Sequence, residues 1–273
     1  MAATAPRLER QFRLLDLVPS RPKPILLPPP PPVETGQRDA VTRLRAALDP
    51  ALARRIVNGS ELIRALDKAR REESIPTTLE AFDALLGGGL QRGKVVELIA
   101  RRAAGRFSVA FSAIVSATTM GEAAALVDLG DHFDPQLAEA DGVDLQRLLW
   151  IRPHTLKQAV MAAEMVTATG FQLVVLDLGL HPLKGRRVPD AAWVRLARAA
   201  EAHGAAMLIS SPYALTGTAS EAVVKSCRSQ VRWLGQGKAP RLLASMKTSF
   251  TLEKHRHLKP GTTETLELRA ESP

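Results

Sequence analysis

The sequence predicts an α/β fold, a mainly parallel β-sheet flanked by helices with an antiparallel C-terminal extension, and three observations predict it. Short continuous apolar runs recur at Val95–Ile99 (VVELI), Ala124–Asp128 (AALVD), Leu148–Ile151 (LLWI), Leu173–Asp177 (LVVLD) and Ala206–Ser210 (AMLIS). Such runs mark strands covered on both faces. Helical stretches at Ser108–Thr119, Pro135–Ala140, Leu156–Thr169 and Ala191–His203 alternate with them, and that alternation builds a doubly wound sheet. Beyond Ser229 the runs Gln230–Leu234, Leu242–Lys247 and Glu264–Arg269 are broken by Gly235–Pro240 and Lys259–Gly261, the pattern of antiparallel strands added to the same sheet.

Ahead of this core, Pro22–Pro32 (PKPILLPPPPP) can neither form a helix nor pair in a sheet and is expected as stiff polyproline II. It sets off the segment Leu8–Val18, which places Leu8, Phe12, Leu15 and Val18 on one helical face. So short a helix is marginal alone, and docking, partner binding and disorder all suit the pattern. Residues 39–74 carry two helical patterns, Asp39–Leu48 and Ser60–Arg71, separated by Asp49–Pro50 and Gly59–Ser60. The expected division is an N-terminal segment with a Pro-rich linker (1–38), a helical lead-in (39–74), a core (75–250) and a basic C-terminal tail with a final strand (251–273).

The chain has 273 residues and 45% hydrophobic content, enough for a core without disulfides or metals. Cys227 is the only cysteine, so no intrachain disulfide forms and a reducing, cytoplasmic compartment is expected. Apolar runs fall far short of the roughly 20 residues that span a bilayer, so no membrane association is expected. The net charge of +9 gathers at the flanks: residues 1–80 have 14 Lys+Arg against 10 Asp+Glu, residues 81–224 have 13 against 14, and residues 225–273 have 10 against 4. Such asymmetry fits a nucleic-acid or acidic-protein partner, and equally a solvated Arg-rich surface.

Ligands of open α/β sheets bind at the carboxyl ends of the strands, which directs attention to the turn after VVELI, Ala100 to Ser108. A phosphate loop needs glycines, a Lys that reaches the terminal phosphates and a Ser/Thr hydroxyl on Mg²⁺. Here Gly105 keeps its place, Arg106 stands where the Lys would be, and Phe107 stands where the hydroxyl would be. Ser108 comes one step later, turned about 100° around the helix. Arg101, Arg102 and Arg106 at a helix N-terminus still suit an anion.

Several segments together carry a family resemblance. TTLEAFDALLGGGLQRGKVVEL, within Ile75–Leu98, resembles the start of the core of bacterial RecA recombinases. Residues 125–160 resemble RecA over their whole length, and LVVLD falls where that family has its Walker B strand, with Asp177 as its acid. The resemblance covers about residues 75–250 and implies a RecA-like P-loop NTPase core. The departures also inform. The glutamate that activates water in that family is matched by Gly130, with Asp131 beside it, and the sensor glutamine gives way to Ser210–Ser211–Pro212. Losing Lys, hydroxyl, glutamate and glutamine removes charge stabilisation, metal grip and water activation together.

A basic RecA-like chain with a degenerate phosphate loop and a Pro-rich extension resembles the ImuA family, which accompanies ImuB, an inactive relative of Y-family polymerases, in the damage-induced mutasome. The resemblance implies a non-catalytic adaptor in translesion DNA synthesis that binds ImuB, the RecA filament or both, and single-stranded DNA, with no cofactor and no metal. The alternatives are a DNA-dependent ATPase using Arg106 with a noncanonical metal site, and a SulA-like division inhibitor. Residues Pro212–Val224 lie where RecA has its second DNA-binding loop, and His181–Pro189 near its first. The expected DNA contacts are therefore Lys184, Arg186, Arg187, Thr216, Gly217, Lys225 and Arg228, although solvated loop charge gives the same pattern.

Asp128, Asp131, His132 and Asp134 lack the spaced carboxylates and central Gly of an EF-hand and are not expected to bind metal. His255 and His257 read as exposed basic tail. Trp150, Trp193 and Trp233 are expected in or near the core, and Cys227 as an inert small apolar side chain.

Overall fold

The computed structural model describes residues 73–101, 104–179, 188–235 and 242–269, with backbone alone for residues 229, 242, 243, 268 and 269. The segment around Leu8–Val18, the Pro-rich linker, most of the lead-in, and Arg102, Lys184, Arg186 and Arg187 lie outside the described residues.

Strand β1 (Ser74–Ile75) pairs antiparallel with β2 (Leu90–Gln91), and helix α1 (Glu80–Leu86) fills the interval. The helix stops because Gly87 turns left-handed at φ 77°, a conformation that costs glycine nothing. The Gly88 N–H then reaches back to the Asp83 carbonyl at 2.8 Å. The Asp83 carboxylate accepts the Thr77 N–H at 3.0 Å and the Thr77 hydroxyl at 2.7 Å, tying α1 to the approach strand.

The apolar runs become β3 (Val95–Ile99), β4 (Ala124–Asp128), β5 (Leu148–Ile151), β6 (Leu173–Asp177) and β7 (Ala206–Ser211). Helix α2 (Arg106–Thr119) follows β3, α3 (Pro135–Ala140) follows β4, α4 (Leu156–Thr167) follows β5 and α5 (Asp190–His203) follows β6. Strands β8 (Ala222–Leu234), β9 (Leu242–His255) and β10 (Thr263–Arg269) complete one eight-stranded sheet of order β10-β9-β8-β3-β7-β6-β4-β5. It is parallel from β8 to β5 and antiparallel across β8, β9 and β10.

Successive side chains of a strand point to opposite faces, so each central strand feeds two cores. Leu126, Leu173 and Val175 join Phe82, Val109 and Ile114 beneath α1 and α2, whereas Val127, Val174 and Leu176 join Val160, Trp193 and Leu196 beneath α4 and α5. Each fully buried aliphatic chain contributes roughly 1.5–3 kcal/mol, so these layers fix where the strand ends lie. Phe82 meets Phe250 edge-on at 5.5 Å, tying α1 to β9.

Four expectations change. Among the described residues strand β5 is the sheet's edge and has β4 as its only neighbour, and it is half-exposed rather than covered on both faces. The boundary drawn at residue 250 falls inside β9, whose pairing with β8 and β10 makes the tail part of the sheet. Trp233 lies 53% exposed on the extended part of β8, past the last pair with β3, while Trp193 is buried and Trp150 half-buried. Cys227, on the same ribbon, is exposed. Among the described residues no helix is long and apolar enough to cross a membrane.

Candidate functional site

The segments that follow β3 and β4, the end of β6 and Met246 of β9 surround a cleft of about 320 Å³ lined by Arg101, Gly105, Arg106, Phe107, His132 and Asp177 among others. The loop that should form its floor is held on both sides. The Ala100 N–H donates to the Ser211 carbonyl at 3.1 Å, and the Ser226 hydroxyl donates to the Ala104 carbonyl. Gly105 adopts φ 81° and turns the chain into α2, as a phosphate loop requires.

The side chains then depart from that design. Arg106 is 5% exposed and folds inward instead of out to the cleft mouth, and its Nη2 donates to the Gly179 carbonyl at 2.6 Å. Burial pulls its guanidinium below the usual value, while the Asp177 carboxylate pulls the other way. Its Nε and Nη1 are buried with no acceptor among the described residues. Phe107 is half-buried, packing against Phe111 and edge-on to His132 at 6.1 Å. Ser108 lines the cleft, and Arg101 stands exposed at its rim.

Asp128 and Asp177 are register partners at the ends of β4 and β6. Oδ2 of Asp128 accepts the His132 and Phe133 N–H groups, each at 3.0 Å, while its Oδ1 is buried without a donor among the described residues. Oδ1 of Asp177 accepts the Ser210 hydroxyl at 2.7 Å, and its Oδ2 lies 3.6 Å from His132 Nδ1. Sequence reasoning did not connect His132 with Asp177. A Cβ built on Gly130 would collide with His132 Nδ1, lying 2.6 Å from its Cε1 and 2.8 Å from the Gly179 Cα. The imidazole therefore occupies space that any side chain at position 130 would need. Asp131 turns outward to Arg152, paired at 2.7 Å, and Asp134 caps α3.

A second feature was missed. Glu97, a carboxylate in the middle of an apolar strand, is fully buried. It accepts the Leu215 N–H at 2.7 Å, the Thr216 hydroxyl at 2.6 Å and the Thr216 N–H at 3.3 Å. A charge on the central strand of a sheet was the available signal, because a buried carboxylate must find donors. Thr216, expected as an exposed DNA contact, instead turns inward for this reason and is 4% exposed. Gly217 stays at the surface, its carbonyl accepting from Lys254 Nζ at 2.9 Å. Lys225 is exposed and pairs with Glu253 at 3.1 Å, and Arg228 is exposed on β8. Arg101, Arg106, Phe107, Ser108 and Asp177 thus meet in one cleft, whereas Lys225 and Arg228 lie on the ribbon.

Fold and site define a RecA-type α/β core whose phosphate loop keeps its backbone and has changed its side chains. The model of the RecA N-terminal domain family matches residues 44–182, just over half of the chain, and the chain belongs to that family. Among curated proteins, Protein RecA of Saccharopolyspora erythraea is 39% identical over 107 residues, 38% of this chain and 31% of that protein. Protein RecA of Mycobacterium tuberculosis is 39% identical over 119 residues, 42% and 15% respectively. Protein RecA of Frankia alni is 35% identical over 136 residues, 48% and 39%. The chain thus spans well under half the length of these relatives. The crystal structure of the RadB recombinase superposes with a TM-score of 0.52 at 20% identity, covering 70% of this chain and 94% of that one, a likeness of fold.

The resemblance to RecA implies ATP with Mg²⁺ at this loop, and the residues present do not fit that pair. The charged group expected to reach the phosphates is folded onto Gly179, an aromatic ring stands where a hydroxyl should hold the metal, and His132 fills the place of the glutamate.

Proposed function

We propose that this chain is a non-catalytic RecA-like adaptor of the ImuA kind, acting in damage-induced translesion DNA synthesis by binding ImuB, the RecA filament or both, together with single-stranded DNA. The observation that carries this reading is Arg106. Its guanidinium is buried and donates to the Gly179 carbonyl, with the Asp177 carboxylate near enough to act on it electrostatically, instead of reaching out to phosphates as a hydrolytic site would need. Removing charge stabilisation and water activation together takes away the main sources of phosphoryl-transfer rate.

Binding rather than turnover is also what the outer surface suits. Gly217, Lys225 and Arg228 are exposed on the loop and on β8, and further along β8 Trp233 and Leu234 stand exposed beside the exposed Arg232. An exposed aromatic beside cations suits base stacking or a protein partner.

The test is steady-state ATP hydrolysis with and without single-stranded DNA, alongside co-purification from damaged cells. The expected outcome is no DNA-stimulated turnover and recovery of ImuB. Hydrolysis approaching that of a working recombinase, lost on Asp177→Asn, would overturn the proposal, as would recovery of a division protein in place of ImuB.

A further inference from the structure

The carboxylates of Asp128 and Asp177 end neighbouring strands, and neither the adaptor reading nor the phosphate loop uses the imidazole between them. We propose that Asp128, His132 and Asp177 bind one divalent transition-metal ion of the zinc class, without a nucleotide. The proposal stands apart from the adaptor role and concerns a direct protein site.

Geometry comes first. One ligand atom from each of the three residues lies within 4.8 Å of the other two. His132 Nδ1 and Asp177 Oδ2 are 3.6 Å apart, too far for a good hydrogen bond. Two ligands bonded at 2.0–2.1 Å to one tetrahedral ion sit about 3.3–3.4 Å from each other, so this pair already has nearly the right spacing. With all three atoms within 4.8 Å of one another, gathering them onto one ion asks for a closure of at most about 1.4 Å, within reach of a residue on a loop. His132 is such a residue, its side chain 39% exposed.

An orphaned acceptor is the independent observation. Asp128 is 1% exposed, and its Oδ1 is buried with no donor among the described residues. Leaving a carboxylate oxygen so placed is costly, and a cation supplies what no protein donor does. Arg106 offers one positive charge beside Asp177, against two carboxylates. Its unpartnered Nε and Nη1 belong to a residue lining the same cleft, and a metal-bound water or hydroxide is an acceptor such groups serve.

The donor set chooses the metal. An imidazole with two carboxylates suits Zn²⁺, Co²⁺ or Mn²⁺, whereas Mg²⁺ prefers an octahedral shell of oxygens and keeps its waters. The other acids of the loop are excluded by their engagements, Asp131 with Arg152 and Asp134 at the start of α3. Gly130 admits the imidazole at all, because a Cβ there would collide with it.

The experiment uses the metal-stripped full chain with Cys227→Ser as background, so that the exposed thiol does not compete. Co²⁺ titration followed by its d–d absorption, and calorimetry with Zn²⁺ and Mg²⁺, are run without nucleotide. We expect one equivalent of Co²⁺ in a low-symmetry site, Zn²⁺ bound at least tenfold more tightly than Mg²⁺, and at least tenfold weakening by His132→Ala, about 1.4 kcal/mol. Asp128→Asn, which keeps an oxygen for the loop N–H groups, should weaken binding likewise, and circular dichroism confirms that both variants fold. The proposal is overturned by the absence of stoichiometric uptake, by Mg²⁺ matching Zn²⁺, or by uptake unchanged in either folded variant. His257→Ala serves as the control for adventitious binding at the exposed tail and should leave the titration as it was.

Discussion

Gly130→Ala adds a single methyl at the position matching the glutamate expected from the resemblance, and its cost follows from what that methyl meets. The new Cβ would collide with His132 Nδ1 and lie 2.6 Å from His132 Cε1 and 2.8 Å from the Gly179 Cα. The first neighbour is the end of a partly exposed side chain, which swings away at small cost. The second is backbone, pinned from its far side because the Gly179 carbonyl accepts from Arg106. Overpacking of this kind costs about 1–3 kcal/mol, so we expect a loss of about 2 kcal/mol, seen as roughly 4–8 °C in Tm for a chain of this size. A double-mutant cycle with His132→Ala apportions it. The imidazole contact should appear as a coupling of about 1 kcal/mol, and the remainder should persist as the backbone clash. Urea denaturation of the four proteins measures both. A Gly130→Ala variant within about 0.5 kcal/mol of the parent, or strict additivity with His132→Ala, would refute the packing described. Gly130→Glu, which nominally restores the missing acid, is expected to destabilise at least as much and to confer no ATP hydrolysis.

Three further outcomes are expected. Arg106→Met keeps the bulk of the stem, loses a charge-assisted bond of about 1.5–3 kcal/mol and relieves two buried N–H groups without acceptors; denaturation should show it less destabilising than Arg106→Ala, which also leaves a cavity, and the reverse order would contradict the buried placement. Glu97→Gln turns one acceptor oxygen into a donor facing Leu215 or Thr216; we expect a loss of about 1–3 kcal/mol and faster amide hydrogen exchange at Leu215 and Thr216, and unchanged exchange would show that the loop is held otherwise. Burial pushes the Asp83 carboxyl from 3.8 up to about 6, against the hydrogen bonds from Thr77. Between those values the folded chain keeps a proton that the unfolded chain has lost, so this contribution is complete below pH 3.8 and is lost as pH rises through 6. At 1.36 kcal/mol per pH unit it amounts to about 3 kcal/mol, and Asp83→Asn should flatten that part of the stability-against-pH curve.

The strands were legible because continuous apolar runs bounded by turns leave little choice of register, and β3 to β7 fall where the runs do, give or take a residue. The same signal misled at β5, since an apolar run reports composition and not how many neighbours the strand acquires. Trp233 failed for a related reason, because β8 continues beyond its last pair with β3 and carries the ring out with it. At the site, the changed identities at Arg106, Phe107 and Gly130 were readable from position in the loop. Where those side chains go was not. Arg106 turns inward because Gly179 offers a carbonyl, His132 reaches Asp177 because Gly130 leaves room, and Thr216 turns in to satisfy Glu97. All three depend on partners at least 45 residues distant, His132 on the missing Cβ of Gly130 as well, and none leaves a local pattern.

The buried Arg106 guanidinium that donates to Gly179 has one property that no diffusible cation shares: it is covalently part of the chain. Its occupancy is unity at every concentration of nucleotide and magnesium, so it cannot be titrated away or exchanged. On the adaptor reading, the state that partners meet at this end of the sheet is not timed by nucleotide. Nucleotide and magnesium then do not set the amount of such a complex, which below saturation follows the amount of protein.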